Sequence, residues 1–173
     1  PIPTRYGLTV GELALMINNE KWIEYQPQLE IIKMKGWTKD LWYDQTKLPW
    51  IKPSPNIPDL NTAIIYPGMC LLEATNISEG RGTKKPFKKF GAPWINKQEL
   101  TQELNNLNLP GVVFKPATFI PTPMKGMSNN PKYKNQVCHG AEIILTDRDK
   151  FRSVATGMSI IKKINEKYPA QLK

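Results

Sequence analysis

One histidine, His139, and two cysteines, Cys70 and Cys138, are spread through 173 residues. A lone imidazole without metal-spaced neighbours argues against a His-rich metal centre and against a Ser-His-Asp triad. The cysteines lie far apart and form no CxxC, which argues against a zinc site. They read equally as one disulfide in an oxidising compartment or as two thiols in apolar surroundings. No apolar run approaches the ~20 residues of a membrane span. The longest, such as Ala63-Ile64-Ile65-Tyr66, are core-sized. Internal repeats and low-complexity tracts are missing. So are an RNP motif, a zinc finger, a helix-turn-helix signature and an arginine-rich helix. Nothing in the motifs calls for a cofactor or a metal.

Basic residues are plentiful: 24 Lys+Arg stand against 15 Asp+Glu, a net charge of +9. Such a surface favours acidic partners, whether nucleic acid, anionic lipid or an anionic glycan. Without a nucleic-acid motif the glycan reading ranks above the nucleic-acid one. The densest patch, Lys84-Lys85-Pro86-Phe87-Lys88-Lys89, reads first as a solvated edge that blocks aggregation.

Apolar residues make up 40% and charged residues 23%, enough for one domain with a core over 1–173. The opening Pro1-Ile2-Pro3-Thr4-Arg5-Tyr6 reads as a linker, covering about 1–8, from a longer protein. Thr9 with Glu12 is a capping box for a helix over 10–19. Leu29–Met34 reads as a strand, and 37–58 as an irregular segment rich in tryptophan and proline. Asn56 suits a helix cap with Pro58 in the first turn, the helix running to Tyr66. A short strand follows near 87–92, then a helix capped by Asn96, extended stretches at 112–114 and 118–120, and a polar loop over 123–134. The clearest strand is 137–146. A helix over 154–167 carries an apolar stripe of Val154, Met158, Ile161 and Ile164. No strict βαβ rhythm is present. The fold class is therefore α+β, with a mixed or largely antiparallel sheet and flanking helices.

The richest chemistry lies in residues 67–83, where an apolar run passes into a polar loop punctuated by glycine. Gly80-Arg81-Gly82 reads as an anion clamp: the glycines permit positive φ and close approach, and the guanidinium offers a planar fork. The alternative is a tight turn whose arginine pairs internally with Glu73 or Glu79. Two carboxylates are what glycoside hydrolysis requires, though spacing in sequence does not supply their separation. Glu73, directly after Leu71-Leu72, is the more interesting; Glu79 reads as support. Thr75 and Asn76 suit sugar hydroxyls or an acetamido group, and equally the turn itself. Most of the five tryptophans read as core anchors, with Trp50 and Trp94 as the exceptions.

Several motifs occur in one order: Gly7–Leu13; Trp50 with Pro53-Ser54-Pro55-Asn56; Tyr66-Pro67-Gly68; Glu73 through Thr83; and Gly91-Ala92-Pro93-Trp94-Ile95. Leu109-Pro110-Gly111-Val112, Cys138-x-Gly140, Thr146-Asp147-Arg148 and Tyr168-Pro169 follow. Together they resemble the NamZ-type exo-β-N-acetylmuramidases of bacterial cell-wall recycling. The resemblance implies that the chain is the C-terminal, cleft-forming part of a longer glycosidase with an N-terminal Rossmann-like catalytic domain. It implies release of N-acetylmuramic acid from non-reducing ends of peptidoglycan fragments, in a secreted or periplasmic setting. Muropeptides or disaccharides and the chain's own N-terminal domain are then its partners. The main catalytic acid would lie outside this chain, leaving Glu73 as the catalytic candidate within it. Glu73, Thr75, Asn76, Arg81, Ser54 and Asn56 are the expected substrate contacts. The competing reading is a non-catalytic module that binds an anionic glycan or nucleic acid.

Overall fold

The computed structural model describes residues 2–173; Pro1, at the head of the expected linker, lies outside them. The chain packs as two compact units, Pro1–Leu48 and Pro49–Lys173.

The first unit holds helix α1, Val10–Asn19. Its capping box is formed as expected: Glu12 N–H donates to Thr9 Oγ1 at 3.2 Å, and Thr9 N–H donates to Glu12 Oε2 at 2.8 Å. The strand expected at Leu29–Met34 does not form. A strand exists only by pairing its backbone, and among the described residues of this unit there is no second strand. Ile31 instead packs on α1 at Gly11, where a Cβ would lie 2.7 Å from its Cγ2. No described residue of this unit is buried.

The second unit carries the core. Helix α2, Leu60–Met69, is capped by Asp59, whose carboxylate accepts from Thr62 N–H at 2.8 Å. The expected cap, Asn56, lies outside the helix, and the helix continues through Pro67 into a 3₁₀ turn, Cys70–Ala74. Strand β1 is Lys89–Ala92 and helix α3 is Lys97–Asn106, capped by Asn96. Strand β2, Val112–Phe119, joins the two expected extended stretches through Pro116. Strand β3 is Cys138–Leu145 and helix α4 is Ser153–Lys167. The sheet is antiparallel in the order β1-β3-β2, with β3 central. Pro116 is tolerated because β2 is an edge strand and needs no donor on its open side.

The core is built from Phe, Ile and Leu: Phe90, Leu72, Leu100, Leu104, Phe151 and Ile160 are all fully buried. None of the five tryptophans is buried, which corrects their reading as core anchors. The buried face of α4 also differs from the expected stripe. It presents Ser153, Thr156, Gly157, Ile160 and Ile164, while Met158 is 55% exposed. Small residues sit there because α2 crosses very closely. Ser153 Oγ accepts from Gly68 N–H at 2.8 Å and donates to the Ile65 carbonyl at 2.7 Å. A Cβ on Gly157 would lie 2.3 Å from the Gly68 carbonyl oxygen.

Gly157→Ala should therefore cost about 2 kcal/mol, because backbone rather than a flexible side chain must move. Urea unfolding should show a lower midpoint at unchanged slope. A second test concerns acid. Burial pushes the Asp59 carboxyl up, but the Lys88 ammonium at 2.8 Å and the Thr62 bonds outweigh it and hold the group below its ordinary value. A carboxyl lowered in the folded state contributes stability above the unfolded pKa and loses it as pH falls through the folded one. Asp59→Asn, which keeps the capping oxygen, should flatten the loss of stability between about pH 5 and pH 2 in urea midpoints measured across that range.

Candidate functional site

Loop 73–83 is held to the sheet by a backbone bridge. Ser78 N–H donates to the Gly91 carbonyl at 2.9 Å, and Gly91 N–H returns to Ser78 at 3.0 Å. Gly80 and Gly82 do take positive φ, 78° and 79°. The close approach they allow is to the protein's own backbone. A Cβ on Gly80 would lie 2.5 Å from the Lys89 carbonyl oxygen, and one on Gly82 would lie 2.6 Å from that of Thr122. The two glycines thus press the loop onto β1 on one side and onto the segment after β2 on the other.

Arg81 faces both carboxylates. Its Nη2 lies 3.1 Å from Glu73 Oε2 and its Nε 3.7 Å from Glu79 Oε1. Its guanidinium also lies 5.2 Å above the Phe87 ring, which in turn meets Tyr66 edge-on at 4.8 Å. Glu79 is 4% exposed, and burying a carboxylate is tolerated only with countercharge. The second countercharge is Lys132, with Nζ 3.3 Å from Glu79 Oε2. Glu79 Oε2 and Arg81 Nε are buried without a hydrogen-bond partner, so Glu79 is held by ionic attraction more than by aligned bonds. Lys132 Nζ also donates to the carbonyls of Leu72, Glu73 and Ile77 at 2.9, 3.1 and 3.1 Å.

The remaining expected residues have other partners. Thr75 Oγ1 donates to the Leu72 carbonyl and accepts from Ile77 N–H, closing the turn. Asn76 holds the last residues of the chain: its Nδ2 donates to the Gln171 carbonyl at 2.7 Å and its Oδ1 accepts from Lys173 N–H at 2.9 Å. Ser54 Oγ accepts from Asn56 N–H at 3.3 Å. Asn56 is buried; its Nδ2 donates to the Met127 carbonyl at 2.8 Å, and its Oδ1 is left as a buried acceptor without a partner. Met127 and Lys132 belong to one segment, 120–137. That segment ties the Asn56 turn to loop 73–83.

The cluster Glu73–Arg81–Glu79–Lys132 is charge-balanced, two cations against two anions. Glu73 and the Arg81 guanidinium are each about one-third exposed and set an acceptor beside donors at the surface. A carboxylated ligand reaching Arg81 has to take the place of Glu73. Burial raises the Tyr66 phenol and the Cys70 thiol above their ordinary values, and the Glu73 charge raises both further, with Arg81 opposing it at Tyr66. Burial alone lifts the Cys138 thiol to about 11. Both cysteines are free. Sequence reasoning missed Lys132, Tyr66 and Phe87. A lysine in a polar loop carries no local signal of a tertiary role. Phe87 at φ 61° was equally silent, because bulky residues rarely adopt that conformation. A cavity of 160 Å³ shares no residue with this cluster; Ile65, Ile143 and Leu145 line it, with Lys85, Lys88 and Glu142. Among the described residues no group of His, Cys, Asp or Glu is arranged to hold a metal, and no helix is long and apolar enough to cross a membrane.

Two family models match the chain in tandem. The N-terminal model of the exo-beta-N-acetylmuramidase NamZ covers residues 1–61, and the C-terminal model covers residues 64–173. The peptidoglycan beta-N-acetylmuramidase NamZ of Bacillus subtilis (strain 168) is 47% identical over 169 residues. That match takes in 98% of this chain and 39% of the relative, so the chain spans well under half of the relative's length. Two crystal structures of DUF1343 family proteins from Bacteroides fragilis NCTC 9343 have the same fold. One superposes with a TM-score of 0.89 at 34% identity, covering 98% of this chain and 43% of that protein. The other gives 0.59 at 30% identity, covering 91% and 36%.

Lys132→Met should destabilise the second unit by about 2 kcal/mol, because it strips three carbonyls and a buried carboxylate of a cation that is itself partly exposed. Combining it with Glu79→Gln should recover part of that loss. Urea unfolding of both single variants and the double variant measures the coupling. Strictly additive effects would show that Lys132 acts on the carbonyls alone.

Proposed function

The chain belongs to the exo-beta-N-acetylmuramidase NamZ family, and on that premise we propose that it is part of a glycosidase that releases N-acetylmuramic acid from the non-reducing ends of peptidoglycan fragments. The observation that carries this is the end-to-end match: both family models in tandem, and 47% identity to a peptidoglycan beta-N-acetylmuramidase over 169 residues. Residues 49–173 supply substrate contacts, and the principal catalytic acid lies in family segments outside this chain.

The geometry supports specific roles. Arg81 presents its Nη2 edge beside Glu73 at a partly exposed position, while Glu79 and Phe87 fix its far side. A guanidinium held in this way loses little freedom on meeting a ligand, and its planar fork matches the lactyl carboxylate of muramic acid. Glu73 yields Arg81 to that carboxylate and is freed to accept from a sugar hydroxyl. The unpartnered Asn56 Oδ1 is a buried acceptor suited to an acetamido N–H or a hydroxyl. Thr75 and Asn76 act through the turn and the chain end. The basic surface attracts anionic wall fragments to the site. Because its substrate is cell wall, the protein works in the envelope, secreted or periplasmic, and fractionation against cytosol checks that placement.

In the whole enzyme, Arg81→Ala should lower kcat/KM on a muramic-acid substrate by roughly 10- to 100-fold, the loss expected for one charge-assisted contact. The same variant should lose far less on an N-acetylglucosamine analogue that lacks the lactyl carboxylate. Equal losses on both substrates, tracking the folded fraction, would assign Arg81 to folding alone.

A further inference from the structure

Trp94 is one of the tryptophans that the core does not take up, and it stands half-buried just after β1. Its indole N–H donates to the Tyr133 hydroxyl at 3.3 Å. Its ring meets Tyr168, the residue that ends α4, at 5.3 Å and 60°. Tyr168 is fixed in turn, because its hydroxyl accepts from Asn96 N–H at 3.0 Å. Three aromatic side chains from three separate elements therefore form one locked, partly exposed panel.

The backbone that presents Tyr133 is strained. Tyr133 has φ 54° and Asn135 has φ 60°. Neither is glycine, and left-handed backbone is unfavourable for a bulky side chain such as that of Tyr133, while asparagine adopts it more readily. The strain is held from both sides. Asn135 N–H donates to the Pro121 carbonyl at 2.8 Å, and the neighbouring Lys132 is anchored in the carbonyl cage of loop 73–83. A loop that only had to connect β2 to β3 would have no need of this conformation. Its effect is to hold one phenol against the indole and the preceding lysine against Glu79, so the panel and the buried carboxylate that faces Arg81 are held by consecutive residues of one segment.

From this arrangement, and resting on the glycan reading above, we infer that Trp94 and Tyr133 form a sugar-ring subsite next to the charged pair. The subsite takes the apolar face of an N-acetylhexosamine, the ring adjoining the one whose carboxylate reaches Arg81. An indole face packs well on the C–H groups of a pyranose, and a locked side chain gives up little entropy on binding. The Tyr133 oxygen accepts from the indole and keeps its own O–H to donate to a sugar hydroxyl. Tyr168 backs the indole edge-on and is not itself a contact.

The test uses the whole enzyme and the β-1,4 disaccharide of N-acetylmuramic acid and N-acetylglucosamine. Trp94→Leu should raise KM about tenfold with kcat per folded molecule nearly unchanged, since ground-state and transition-state binding are lost equally. Tyr133→Phe, which keeps the ring, should raise KM about threefold, the smaller loss expected for one neutral hydrogen bond. If the wild type turns over while both variants keep KM within twofold, or lose activity only in proportion to the folded fraction, the subsite is overturned and the glycosidase assignment stands. If the wild type does not turn over, the glycosidase assignment fails, and isothermal titration calorimetry with the same disaccharide decides the subsite alone. Binding lost in Trp94→Leu supports the subsite, and no binding by the wild type overturns it.

Discussion

The carboxylate of Glu79 is the constraint around which the candidate site is arranged. A buried negative charge without countercharge is costly enough that the chain must bring cations to it. It brings two, one local and one distant in sequence: Arg81, two residues on, and Lys132, from the segment between β2 and β3. Once they are placed, much else follows. Arg81 is turned so that its outer edge meets Glu73, and Lys132 draws three carbonyls of the 72–77 turn around its ammonium. The loop that reads as a ligand clamp is thus first a neutralising shell for an interior charge.

That arrangement reconciles the two readings of Gly80-Arg81-Gly82. The internal ion pairs of the structural alternative are present, and the glycines admit the protein's own carbonyls. Arg81 and Glu73 remain partly exposed, one donating and one accepting. A site of this kind exchanges an internal partner for an external one.

Packing elsewhere follows the same logic of small residues and close approach. Gly68 and Gly157 let α2 and α4 cross with backbone in contact, and Ser153 supplies two hydrogen bonds at that crossing. This pins the 3₁₀ turn that follows α2, and with it Glu73. The aromatic panel of Trp94, Tyr133 and Tyr168 does the corresponding work where β1, the 120–137 segment and the end of α4 meet.

Residue order alone was enough for the elements whose causes are local. The Thr9 and Asn96 caps, the strand around Ala141 and Ile143, the absence of a βαβ rhythm, and the positive φ at Gly80 and Gly82 all depend on neighbours within a few residues. So did the family, because its motifs are written in sequence. What required the tertiary structure was every choice made by a distant partner. Leu29–Met34 has strand-forming residues but no strand to pair with. The buried face of α4 is chosen by the closeness of α2 and not by hydrophobicity. Asn56 caps nothing, because Asp59 reaches the helix N–H groups first and Met127 engages its amide. The charge of Lys132 says nothing about where it goes; burial of Glu79 decides that, and burial is a property of the folded chain alone.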